Sequence, residues 1–97
     1  MSIEGSLDIL WENREQPAAT PRYRLLFARY QGFRGGAQPA KHIVGPEGLE
    51  SYLVEIGFTV PDARRWIKQL HEGDRSISIP NVIMPPEHMA PYEYQAS

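Results

Sequence analysis

The chain has no cysteine among its 97 residues. Disulfides, thiolate nucleophiles and zinc–thiolate sites are therefore excluded. A small secreted domain usually needs disulfide staples, so the expected compartment is the reducing cytoplasm. Long apolar runs are also missing. The longest, Leu25 to Ala28, is far too short to cross a bilayer, so no membrane partner is expected. Met1 to Glu15 carries Glu4, Asp8, Glu12 and Glu15 and lacks the basic start and apolar core of a signal peptide. No internal repeat or low-complexity tract occurs. No phosphate loop, metal-ligand spacing or catalytic motif is present, so no cofactor and no metal are expected.

What remains is ordinary globular material: 41% apolar and 23% charged residues, with a formal net charge of −2. The length suits one domain that buries about 65% of its unfolded surface, enough for one modest core. Nine prolines and eight glycines cluster between periodic segments, where they act as punctuation.

The periodicity predicts an α+β fold in the order β-β-(β)-α-α-β. Ser6 to Asn13 alternates as a half-buried strand, and Arg22 to Tyr30 is its antiparallel partner, with Tyr23, Leu25 and Phe27 on one face. Ala40 to Val44 is a short third strand. Pro46 to Ile56 forms a helix: Pro46 fits its first position, and Leu49, Tyr52, Leu53 and Ile56 make one apolar stripe. Gly57 supplies the left-handed residue that ends it. A second helix runs from Val60 to Glu72, capped by Thr59 with Asp62 at capping-box spacing. Its stripe is Ala63, Trp66, Ile67 and Leu70. Ser76 to Met84 is the last strand, with Ile77, Ile79 and Ile83 on one face. Pro80 places that strand at an edge or at a bend. The helical hairpin covers one face of a small antiparallel sheet of three to four strands. Trp11, Phe27, Trp66 and the isoleucines are the expected core. Residues 1–84 form the domain, and residues 85–97 an extended, proline-containing tail.

Charge is segregated along the chain. No acidic residue occurs between Glu15 and Glu47, a gap that holds Arg22, Arg24, Arg29, Arg34 and Lys41. Basic residues interleaved with aromatics can hold phosphates and stack bases. The plainer reading is a solvated strand face, with arginines opposite the acids of the first strand. A second basic set, Arg64, Arg65 and Lys68, projects from the second helix of what looks like a helix–turn–helix. The three glutamates of the first helix and the missing leading helix weaken that match. His42, His71 and His88 lie far apart, and His71 sits in the last turn of its helix, where the dipole favours a cation. The glycine-rich run Gly32 to Gly36 is expected to be a flexible hairpin loop, with a binding loop ordered by a partner as the alternative. Val82, Ile83, Met84, Met89, Tyr92 and Tyr94 are either a tail folded over the core or a self-association surface, since an open edge strand invites pairing.

The function expected on these grounds is a small soluble binding or accessory protein without catalytic activity. Its partner would be another protein or a second copy of itself, as a homodimer. The expected binding surface is Arg22, Arg24, Tyr30, Phe33, Arg34 and Lys41. The rival is a nucleic-acid-binding module using that same strand face, or the second helix through Arg64, Arg65 and Lys68. An enzyme ranks third, because no acid/base pair converges in the sequence.

Overall fold

A computed structural model describes residues 3–30, 39–73 and 75–92. The fold is α+β: a four-stranded antiparallel sheet, in the order β3-β2-β1-β4, with two helices between β3 and β4 in the chain. The strands are β1 (Ile3–Trp11), β2 (Arg22–Arg29), β3 (Lys41–Val44) and β4 (Ser76–Met84); the helices are α1 (Pro46–Glu55) and α2 (Val60–Glu72). Every neighbouring pair is antiparallel, with Leu7 opposite Phe27 and Ile79, and Tyr23 opposite Ile43.

The helix boundaries follow local chemistry. Thr59 caps α2 by accepting the Asp62 N–H at 3.2 Å. The Asp62 carboxylate turns outward to Arg65, so only half of the capping box is formed. Gly57 adopts φ 120°, a conformation L side chains rarely take, and the Phe58 N–H returns to the Leu53 carbonyl.

All packing lies on one face of the sheet. Leu7, Ile9, Tyr23, Leu25, Phe27, Ile43, Ile77 and Ile79 meet Leu49, Tyr52, Leu53, Ile56, Ala63 and Leu70 of the helical segment. Trp11 and Trp66 are only half buried, at the margin of this core rather than within it. An indole N–H needs a polar partner, and Trp11 finds one in Asn13 at 3.1 Å.

Three local expectations are corrected. β1 starts at Ile3 rather than Ser6, because pairing continues through Gly5. A Cβ at Gly5 would stand 2.1 Å from the Ala28 carbonyl oxygen, so β2 approaches there as only glycine permits. Secondly, β4 does not alternate along its whole length. Pro80 and Asn81 together oppose Ser6, and Asn81 takes the left-handed φ of 58°. The extra residue shifts the parity, so Val82 and Met84 are buried and Ile83 is exposed. Thirdly, the segment after β4 is not extended as far as Tyr92. It makes 3-10 turns at Pro86–His88 and Ala90–Tyr92, and it sends Met89 and Tyr92 into the core. Tyr94 lies outside the described residues.

Candidate interaction face

With both helices and the Met89–Tyr92 segment packed on one side, the opposite face of the sheet is left without a covering element among the described residues. Alternation fixes its membership. From β1 it takes Glu4, Ser6, Asp8 and Leu10, followed by Glu12; from β2, Arg22, Arg24, Leu26 and Ala28, followed by Tyr30; from β3, His42 and Val44. Ser76, Ser78 and Ile83 come from β4. The register places Arg24 between His42 and Leu10, Leu26 beside Asp8, and Ile83 beside Glu4.

Glu12 organises the charges at one end. Its Oε1 lies 4.0 Å from Arg24 Nε and 3.4 Å from His42 Nδ1. Arg22 is exposed beside them, and its backbone N–H donates to Asn13 Oδ1 at 2.8 Å. At the other end, the Tyr30 hydroxyl accepts the Asn81 N–H at 2.9 Å, reaching across β1 to the bulge. Tyr30 is 52% exposed, Ile83 58% and Val44 63%. The face therefore presents large apolar side chains among charges of both signs.

Of the predicted surface, Arg22, Arg24 and Tyr30 do share this face. Lys41 does not. It pairs with Leu25, which puts it on the helix side, and its Nζ sits 5.1 Å from the Tyr52 ring centroid as a cation–π contact. Phe33 and Arg34 lie outside the described residues. On the helices, Arg64 Nε meets Glu50 Oε1 at 2.6 Å, Arg65 Nη1 meets Asp62 Oδ1 at 3.1 Å, and Lys68 Nζ approaches Glu72 Oε1 at 3.7 Å. Each cation of the rival site thus has a carboxylate beside it. A depression lined by Arg65, Lys68, Gln69, Glu72 and Gly73 lies nearby; it is wide open to solvent, unlike an enclosing small-molecule pocket.

Two clusters on the packed side were not foreseen. In the first, Tyr23 Oη meets His71 Nε2 at 2.5 Å, and the His71 ring lies 4.1 Å from that of Trp11. Asn13 completes it: Oδ1 accepts from Trp11 and from the Arg22 N–H, and Nδ2 donates to the Thr20 carbonyl at 2.9 Å. Burial pushes the His71 pKa down. Burial, with the Glu47 charge second, pushes the Tyr23 phenol up to about 12. In the second cluster, Tyr52 Oη meets Tyr92 Oη at 2.5 Å, with His88 edge-on to Tyr52 and Phe27 against Tyr92. Burial raises both phenol pKa values, most strongly at Tyr92. These phenols stay protonated at neutral pH and act as packed hydrogen-bonding groups. Residues such as Tyr23 and His71 stand 48 apart in the chain, and no local spacing announces their meeting. Asn13 did carry a signal, as an amide at a strand end ahead of a loop.

Among the described residues, no three His, Asp or Glu side chains gather as a metal site would, and no helix is long and apolar enough to cross a membrane. Comparison with protein-family models, curated proteins and solved structures finds no match.

Proposed function

We propose that the chain is a non-catalytic binding protein of the cytoplasm, whose partner is another protein seated on the outer face of the sheet. The observation that carries this reading is the one-sided packing: exposed Tyr30, Ile83 and Val44 stand among Arg22, Arg24, Glu4, Asp8 and Glu12. Mixed charge around apolar and aromatic groups is the composition of a protein–protein surface. The same composition disfavours nucleic acid. Among the described residues, three carboxylates outnumber two guanidiniums on this face, and the cations of α2 are each offset by an acid. A phosphate backbone needs a net positive surface.

The test compares the wild-type protein with Arg24→Glu and with Lys68→Glu. Capture of a protein partner should be lost in Arg24→Glu and retained in Lys68→Glu. Equal retention by both variants would remove the outer face as the site. Titration with single- and double-stranded nucleic acid at low and physiological salt should show no salt-sensitive binding. Binding that falls steeply with salt would transfer the assignment to the nucleic-acid reading.

A further inference from the structure

The sheet has two edges, and they differ. β3 is four residues long and carries Lys41, and a short, lysine-bearing edge discourages pairing. β4 is nine residues long and has no charged residue from Ser76 to Met84. It pairs with β1 alone, and beyond that ladder its backbone makes no backbone hydrogen bond to other described residues. An edge of this kind is a template for another strand, and proteins usually block it with lysine, proline or a bulge.

β4 has such a block over only half its length. Pro80 has no N–H to donate, and the Asn81 N–H is already taken by the Tyr30 hydroxyl. The bulge also turns the strand at that point. The half before it, Ser76–Ile79, keeps unbroken register with β1 and is uncharged.

We propose that Ser76–Ile79 pairs antiparallel with the same segment of a second copy of this chain, making one eight-stranded sheet across a two-fold axis near Ser78. An antiparallel edge is self-complementary under that symmetry. A second copy fits because the segment presents no charge to be repelled by its own image. Ile77 and Ile79 are buried on the helix side, and each would lie opposite the other's counterpart, extending the core across the axis. Ser78 would face Ser78 on the open side. A short ladder is a small contact, so the dimer is concentration-dependent. It uses the strand edge rather than the outer face, and it stands apart from the function proposed above.

The test uses the full chain in sedimentation equilibrium. The mass should rise with concentration toward twice the monomer value and hold in moderate salt. Ser78→Lys places two lysines opposite each other and should weaken association by up to about fivefold. The site is exposed, so the circular dichroism should not change. The chain has no cysteine, so Ser78→Cys reports directly: mild oxidation should give a disulfide dimer, while His42→Cys on β3 should not. Arg24→Glu should leave the dimer intact. A monomer at every concentration overturns the proposal. So does a dimer that Ser78→Lys leaves unweakened, that cross-links through His42→Cys, or that dissociates in Arg24→Glu.

Discussion

The two faces of this sheet are cut from the same strands and treat polar groups in opposite ways. On the helix side, the hydroxyls of buried Tyr23, Tyr52 and Tyr92 are closed into short pairs, Tyr52 with Tyr92 and Tyr23 with the half-buried His71. On the outer side, Arg24, Glu12 and His42 sit at 3.4 to 4.0 Å with water around them. A buried hydrogen bond is costly to break because the partner left behind has no solvent to turn to. An exposed ion pair is cheap to break because water replaces it. The helix side therefore holds the stability, and the outer side is free to change without unfolding the protein.

Adjacent residues of β2 give the sharpest test of that contrast. Leu25→Ala, in the packed face, should cost about 3 kcal/mol in chemical denaturation. Leu26→Ala, half exposed on the other face, should cost about 1 kcal/mol or less. Equal losses would mean that the outer face is covered in solution. Tyr92→Phe, which strips the Tyr52 hydroxyl of its partner, should cost about 1–2 kcal/mol by the same measurement, and a smaller loss would show that water reaches the pair. Acid and alkali probe the same side. Burial depresses the His71 pKa, so that contribution to stability is present above the unfolded value of about 6.5 and is lost as pH falls through it toward the lower folded value. The Tyr23 phenol runs the other way: its contribution is present below about pH 10 and is lost as pH rises through 10 toward about 12. Denaturant midpoints across pH should show both limbs, with the acid slope reduced in His71→Phe and the alkaline slope in Tyr23→Phe. The smallest effect belongs outside: Glu12→Ala should shift stability by about 0.5 kcal/mol or less.

Much of this architecture was legible from local pattern. The stripe of α1, the Thr59 cap, the Gly57 stop and the face of β2 each depend on residues within a few positions of one another. Illegibility began wherever geometry departed from a constant period or joined distant segments. One extra residue at Asn81 exchanged Ile83 for Val82 and Met84 in the core. Lys41 shares the arginines' stretch of sequence, and sequence alone groups it with them. Only the β2–β3 register, which sets it opposite Leu25, assigns it to the other face. Of the candidate surface, Arg22, Arg24 and Tyr30 could be placed together from alternation alone. The closing of Tyr23 on His71, and of Tyr52 on Tyr92, could not.

β1 lies inside the sheet, between β2 and β4, and its Ile3 is opposite Met84. During synthesis, one side of β1 can zip to β2 early, but its other side has no neighbour until β4 has been made. Such distant pairing slows folding. Throughout that interval the side of β1 from Ile3 to Leu10 is a bare ladder, open to any strand that reaches it first. The hazardous moment is therefore the one before β4 is made, because β4 is the strand that covers that side of β1.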